Sequence, residues 1–414
     1  MTFRSLVLFV SVGCTLNSQP PARRFVIVNV DVFDGYRMLR NQSVTVENGM
    51  IRELAEAQGQ PTGMTLLPGL IDSHVHIGGE DSLEQAAVLG VTTELDMWGD
   101  AKKLIPLKQA VERGDYPNAA DFRTAGTGAT VPHGHPAEMG VPMPVLGPND
   151  DVQAFVDARF REGSDYLKIM YEHQLPTLSE AQLHLLVAAA HRRGRMAVAH
   201  EGVQAEGLAE MKAGVDGVEH IFADSPISAE FIQTAKATHM VFTPTLTVIS
   251  AASGRPTGEG LVADNRFAPY LLGWTVGILK TKFPEKVVAR SHYEYAQGAV
   301  RALHDAGLPI LAGTDSPNPS TDYGASLHEE LLLLTQCGLT PEEALRAATS
   351  EPAKQFGLTD RGRIEVGRRA DLLLVKGDPA RNIVATRDIV KVWKAGVQID
   401  RSAVERKIHQ PSKH

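Results

Sequence analysis

Residues 65–79, Thr-Leu-Leu-Pro-Gly-Leu-Ile-Asp-Ser-His-Val-His-Ile-Gly-Gly, constrain the fold of this chain more than any other stretch. An apolar run that closes on two histidines and a glycine pair reads as a buried strand with polar groups at its C-terminal end. Side chains alternate along a strand, so Leu70, Asp72, His74 and His76 share one face while Ile71, Ser73, Val75 and Ile77 share the other. Two imidazoles on one face can share a cation. Pro68-Gly69 marks the turn leading in, and Gly78-Gly79 lets the backbone turn away afterwards. Alone, the pair reads equally well as two partly buried structural histidines, because short His patterns recur by chance.

The rest of the chain supplies the context. Downstream come Val91-Thr92-Thr93-Glu94-Leu95-Asp96, Phe122-Arg123-Thr124-Ala125-Gly126, Tyr166-Leu167-Lys168-Ile169-Met170, Met196-Ala197-Val198-Ala199-His200, Gly217-Val218-Glu219-His220-Ile221, Val241-Phe242-Thr243-Pro244-Thr245-Leu246 and Pro309-Ile310-Leu311-Ala312-Gly313-Thr314-Asp315. With the opening stretch these are eight strand candidates, separated by amphipathic segments such as 179–193, where Ser179 can cap a helix. The alternation predicts an α/β fold, a (β/α)8 TIM barrel with its reactive groups at the C-terminal strand ends. A doubly wound open sheet should carry a Gly-rich phosphate turn after its first strand, and none is present.

Both ends of the chain read differently. Phe25-Val26-Ile27-Val28-Asn29-Val30, Val44-Thr45-Val46-Glu47 and Met50-Ile51-Arg52-Glu53-Leu54 are short strands, with Asn48-Gly49 as a hairpin turn. Arg363-Ile364-Glu365-Val366, Ala370-Asp371-Leu372-Leu373-Leu374-Val375 and Ile389-Val390-Lys391-Val392-Trp393-Lys394-Ala395-Gly396-Val397 repeat the pattern near the other end. Neither end can bury a core alone, so a small β-sandwich built from both is expected. The boundaries expected are a leader over 1–22, the sandwich over 23–67 plus 361–400, the barrel over 68–360 and a frayed tail over 401–414.

Polar residues then line up at the same end of the inferred barrel: His74 and His76, Lys168, His200, His220 and Asp315. Each interrupts or closes an apolar run, and together they predict a metal site. Period two places Tyr166, Lys168 and Met170 on the inner face, where desolvation and nearby cations would lower the pKa of the lysine. A neutral amine can take up carbon dioxide, and the resulting carbamate could bridge two divalent ions; a lysine paired with an acidic neighbour is the alternative. Asp72, below His74 on the same face, reads equally as a group holding a ligating imidazole in one tautomer and as a helix or turn cap.

These motifs (Pro-Gly-Leu-Ile-Asp-Ser-His-Val-His, Gly-Val-Thr-Thr, Tyr-Leu-Lys-Ile-Met, Ala-His-Glu, Val-Glu-His, Gly-Thr-Asp-Ser and Gly-Arg-Ile-Glu-Val-Gly-Arg-Arg-Ala-Asp-Leu-Leu-Leu-Val) resemble those of the amidohydrolase superfamily from Arg24 to about Asp400. The resemblance is strongest to the binuclear, lysine-bearing branch of prolidase-like dipeptidases and zinc carboxypeptidases acting on N-acyl amino acids. It implies that His74, His76 and Asp315 hold one metal, that His200 and His220 hold the other, and that carboxylated Lys168 bridges them. It further implies amide hydrolysis by a metal-bridging hydroxide with Asp315 as general base and acid. The loop 127–144 carries His133, His135 and Glu138 over the barrel mouth, and in such relatives a histidine here, His135 in this chain, touches the scissile carbonyl. Tyr171, His173 and Tyr323 are further candidates to line the pocket. Met170-Tyr171-Glu172-His173 departs from the small and glycine residues usual after the lysine. An ester, lactone or carbamate hydrolase using the same site is the alternative. An imidazolonepropionase-like cyclic amide hydrolase and a non-catalytic binding relative are further ones, although imidazolonepropionases lack the lysine and a non-catalytic relative should have lost ligands. Histidine and carboxylate donors suit zinc first, with manganese, iron or cobalt as alternatives.

Net charge of −8 and a pI near 6.0 argue against a nucleic-acid binder and for a small-molecule or dipeptide-like substrate. A homo-oligomer is the expected assembly. Cys14 and Cys337 are the only cysteines, so neither a disulfide framework nor a cysteine metal cluster is available. Arg4, the apolar run 6–12 and Gly13-Cys14 read as a short secretory leader with Cys14 as a lipid attachment point, although Ser11 departs from a bacterial lipoprotein box. Export to the periplasm or a membrane-anchored lipoprotein is therefore expected, with a misassigned start and a cytoplasmic protein as the alternative.

Overall fold

The computed structural model describes residues 24–408; the expected leader with Cys14, and residues 409–414, lie outside the described part. The chain opens as an antiparallel meander of β1 (Arg24–Phe33), β2 (Met38–Glu47) and β3 (Met50–Glu56). Its tight turn is Asn48-Gly49, with φ of 51° and 78°, the left-handed pair that a two-residue hairpin requires. β4 (Met64–Pro68) lies parallel to β1. Next come β5 (Leu70–Val75), β6 (Val91–Asp96) and β7 (Asp121–Thr124), a parallel three-stranded sheet. β8 (Leu167–Met170), β9 (Ala197–His200), β10 (Gly217–Glu219) and β11 (Phe242–Thr243) form a parallel four-stranded sheet. β12 (Leu372–Lys376), β13 (Ile389–Lys394) and β14 (Val397–Gln398) bring the chain back to its start.

The two ends meet in one seven-stranded sheet of order β14-β13-β12-β4-β1-β2-β3. Their junction is the antiparallel β12–β4 pair, Leu372 opposite Pro68 through Lys376 opposite Met64. The sheet has its own apolar cluster, including Val32, Val46, Ile51, Leu66, Leu372 and Trp393, drawn from both ends. Arg363-Ile364-Glu365-Val366, expected as a strand, is irregular. Ile364 is nevertheless buried there, tied down by single backbone bonds from Ile364 to Asp34 and from Gly367 to Ile51.

Between the parallel sheets run the single parallel bridges Ala129–Ile169, Phe242–Ile310 and Val75–Ser316. The expected strand 309–315 lies between β11 and β5: Phe242 N–H donates to the Pro309 carbonyl, Leu311 N–H to the Phe242 carbonyl and Ser73 N–H to the Ala312 carbonyl. Its backbone turns toward β5: Asp315 N–H donates to the His74 carbonyl at 2.8 Å and Thr314 N–H to the Asp72 carboxylate at 3.1 Å. Two glycines permit the close packing around β5. A Cβ on Gly69 would fall 2.2 Å from Thr92 Oγ1, and one on Gly313 would fall 2.9 Å from both the backbone N and the Cβ of His74.

The intervening helices start where side-chain acceptors meet free backbone N–H groups. Ser179 caps Glu180–His191 and exchanges bonds with Gln182, as expected. Thr340 and Glu343 do the same for Pro341–Ala347. The tail expected from residue 401 is an α-helix over its described part, Arg401–Ile408. Val404 is buried, the Arg401 guanidinium lies 4.3 Å over the Tyr270 ring, and Lys407 pairs with Glu84 at 2.6 Å. Local charge composition could not show these distant contacts.

Asp121 at the start of β7 clamps the C-terminal segment onto the parallel sheet. It receives Arg369 at 2.6 Å, Arg361 at 3.0 Å and Lys394 at 3.2 Å. Burial alone would raise its carboxyl, but Arg369, Lys394 and Arg361 together hold it well below the usual range. Asp121→Asn is therefore expected to lose about 3 kcal/mol at pH 7, since it leaves buried cations uncompensated. A depressed folded-state pKa stabilises above the unfolded Asp value and loses that effect as pH falls, so the deficit should narrow by roughly 1 kcal/mol at pH 3. Urea unfolding midpoints at both pH values check this; a deficit independent of pH would contradict the clamp.

Candidate metal centre and active site

The polar groups singled out in the sequence converge where the parallel strands end. A row of imidazoles runs His76, His74, His220, His200, His135, with successive ring centroids 5.4, 4.6, 4.5 and 5.2 Å apart. Asp315 faces one end of the row, its Oδ1 2.9 Å from His76 Nε2 and 3.4 Å from His74 Nε2. His74, His76 and Asp315 each bring one ligand atom within 4.8 Å of the others, close enough to hold one ion. His200 and His220 continue the row, and His135 stacks beyond them while its Nδ1 pairs with Glu138 at 2.9 Å.

Lys168 is fully buried on β8, and its Nζ has no hydrogen-bond partner. Burial lowers its pKa to about 8, against the upward pull of Glu219, Asp315 and Glu210. Its charge in turn acts on His200 and His220, so it belongs to the same electrostatic unit. Burial, with neighbouring imidazoles and Lys168, pushes His200 and His220 well below the ordinary histidine range. Both are therefore neutral, the form in which a ring nitrogen can ligate. Asp315 goes the other way: burial would raise it, but His220, His74 and His76 hold it well below the carboxylate range, as an anion.

The backbone is strained at this place. His220 has φ 78°, Asp315 φ 57° and Thr245, which bonds His220, φ 49°. Left-handed conformations at non-glycine residues cost about 1–3 kcal/mol each and cluster at functional sites.

Ring orientation is set by groups that the sequence reading did not identify. Glu219 bonds His74 Nδ1 at 2.7 Å, the Trp98 carbonyl accepts from His76 Nδ1 at 3.0 Å, and Thr245 Oγ1 meets His220 Nδ1 at 2.8 Å. With Nδ1 so engaged, Nε2 is left to face Asp315 and the site. The carboxylate in Val-Glu-His, adjacent to a candidate ligand in a buried strand, was the one available signal for Glu219. Of its two expected parts, Asp72 takes the backbone-capping one and does not orient an imidazole. Its carboxylate accepts from His74 N–H, Thr314 N–H and Thr314 Oγ1, so it joins β5 to the 309–316 segment and touches no imidazole.

A cavity of about 870 Å³ opens onto His200, His220 and Asp315. Three side chains expected in its lining are placed elsewhere. Tyr171 is buried against the His173 ring, His173 pairs with Glu206, and Tyr323 lies beneath the site, donating to the His76 carbonyl at 2.6 Å. Glu172, between the first two, turns into the cavity and stands 3.8 Å from His200 Nε2.

The residues fit divalent metal on the chemistry of the donors: imidazoles, of which His200 and His220 are held neutral, an ionised carboxylate, and a buried amine with nothing to bond. Parallel α/β architecture with such groups gathered at its strand ends defines a hydrolytic enzyme. The chain belongs to the amidohydrolase family, whose profile, described as Amidohydrolase family, matches residues 149–399, and it acts on carbon–nitrogen bonds. Ochratoxinase of Aspergillus niger is 25% identical over 389 residues, covering 80% of this chain and 75% of that protein. Imidazolonepropionase of Deinococcus radiodurans is 23% identical over 414 residues, covering 87% and 93%. Among solved structures, a Xaa-Pro dipeptidase with bound methionine in the active site superposes with a TM-score of 0.74 at 21% identity, covering 91% of this chain and 99% of that one.

Proposed function

We propose that this protein is a metal-dependent amide hydrolase acting on a dipeptide or an N-acyl amino acid. The observation that carries the reading is the buried Lys168 amine, without a partner, beside a row of imidazoles and an anionic Asp315. His74, His76 and Asp315 would hold one divalent ion, His200 and His220 a second, and Lys168, carboxylated by carbon dioxide, would join them. Zinc is the metal that this donor set suits first. When bound, the ions would supply a water acidified to near-neutral pH and a positive field for the carbonyl oxygen.

The chain's own groups do the rest. Asp315, ionised and with Oδ1 2.9 Å from His76 Nε2, accepts a proton from the attacking water and returns it to the departing nitrogen, so that the amide and water leave as an acid and an amine. His135, which extends the imidazole row, would hydrogen-bond the scissile carbonyl. Glu219, Thr245 and the Trp98 carbonyl keep the rings from rotating. In this reading the three single bridges close the parallel strands and segment 309–316 into an eight-stranded barrel over 68–360, with 23–67 and 361–400 wrapped as a sandwich.

Elemental analysis and a parallel panel of N-acyl amino acids, dipeptides, esters and lactones test the proposal. About two equivalents of divalent metal per chain, with chelator-sensitive cleavage of amides, are expected. Full turnover in metal-free protein, or cleavage confined to esters and lactones, would refute it.

A further inference from the structure

We infer that Glu172 is a further donor of the metal centre, its carboxylate completing the site of the ion expected at His200 and His220. This rests on the two-ion reading above and adds a side chain that stands where the resembled family carries small residues.

Glu172 follows β8, in the stretch Met170-Tyr171-Glu172-His173. Its neighbours turn away and fix its direction. Tyr171 is buried against the His173 ring, His173 Nδ1 meets Glu206, and the Glu172 N–H donates to Thr177 Oγ1 at 3.1 Å. A Cβ on Gly202 would stand 3.5 Å from Glu172 Cγ, so the turn that follows His200 packs on the stem of this side chain. The carboxylate is thereby aimed into the cavity that opens onto His200, His220 and Asp315.

Among the described residues this carboxylate accepts no hydrogen bond and pairs with no lysine or arginine. Its close neighbour of complementary chemistry is His200, with Oε2 at 3.8 Å from Nε2. That separation is too long for a hydrogen bond but close to the spacing of two donors on one ion. Donors bound at about 2.0–2.2 Å and near-tetrahedral angles stand about 3.4 Å apart. His74 Nε2 and Asp315 Oδ1, in the neighbouring triad, are 3.4 Å apart.

The donor count points the same way. His74, His76 and Asp315 offer one ion two imidazoles and an anion, whereas His200 and His220 offer the other only neutral rings beside the bridge from Lys168. A carboxylate from Glu172 gives the second ion a third side-chain donor and the charge that the first receives from Asp315.

Cobalt(II) titration of chelator-treated protein in bicarbonate buffer, read by visible absorption and elemental analysis, tests this in the wild type, Glu172→Gln and Glu172→Ala. The wild type should take up about two equivalents. Both variants should keep the first equivalent and bind the second at least about 10-fold more weakly, no less than loss of an outer partner of a metal ligand costs. The absorption of the second equivalent should also change in band position and intensity, because both follow the number and kind of donors. Glu172→Gln keeps the size of the side chain, so a loss shared with Glu172→Ala belongs to the carboxylate; circular dichroism verifies the fold. Wild-type affinity and spectrum in both variants would overturn the inference and leave the two-ion reading standing. Loss of both equivalents from a folded Glu172→Gln variant would also overturn it, since a donor to one ion leaves the other in place. Uptake of a single equivalent by the wild type would remove the two-ion reading, and the inference with it.

Discussion

Lys168→Ala is expected to abolish turnover and to release about half of the bound metal, with partial recovery when acetate or propionate is added at high concentration. The argument begins with burial. An ammonium this deep, with no acceptor for Nζ, is a costly state, and desolvation lowers the pKa to about 8. In the proposed reading, an amine brought that close to neutrality would react with carbon dioxide, which would replace a buried cation by an anion beside four imidazoles. Removing the side chain leaves space that a small carboxylic acid can enter, and its carboxylate can stand in for the carbamate. Activity and metal content are measured with and without the added acid, with circular dichroism to verify the fold. Unchanged turnover in this variant would end the carbamate proposal.

Asp315→Asn should lower kcat by about 10³-fold, within the range removal of a positioned acid–base group produces. The substitution keeps the shape but removes the charge that His220, His74 and His76 stabilise. A residue that only shaped the pocket would raise KM, whereas one that carries the proton in both directions lowers kcat. Steady-state kinetics on one N-acyl substrate, after metal reconstitution, separates these outcomes. A variant with wild-type kcat and raised KM would reassign Asp315 to binding.

Both predictions concern side chains that stand out in the amino-acid order. Lys168, His200, His220 and Asp315 each break or close an apolar run, and buried polar groups need partners, so their convergence is readable before any coordinates. The same logic fails for partner identity. Alternation along β5 puts Asp72 and His74 on one face, yet the Asp72 carboxylate bonds the backbone of His74 and Thr314, while the imidazole takes Glu219 from β10. Tyr171, His173 and Tyr323 follow strand candidates, as lining residues would, but their rings and hydroxyl turn to Glu206, to each other or to the His76 carbonyl. Residues 309–315 have the composition of a strand and lie between β11 and β5, exchanging backbone bonds with Phe242 on one side and with Ser73 and His74 on the other.

From the chain alone came the parallel α/β alternation, the contribution of both ends to a separate sheet, and the candidate ligands at strand ends. Those follow from local periodicity and from the cost of placing polar groups in apolar runs. Tertiary structure alone decided which groups orient the imidazoles, how Asp121 collects Arg361, Arg369 and Lys394, where the helix Arg401–Ile408 docks, and that Glu172 stands beside His200 in the cavity. Each joins residues far apart in the chain through a distance of a few ångströms. Periodicity specifies the face a side chain occupies, but packing selects the atom it meets.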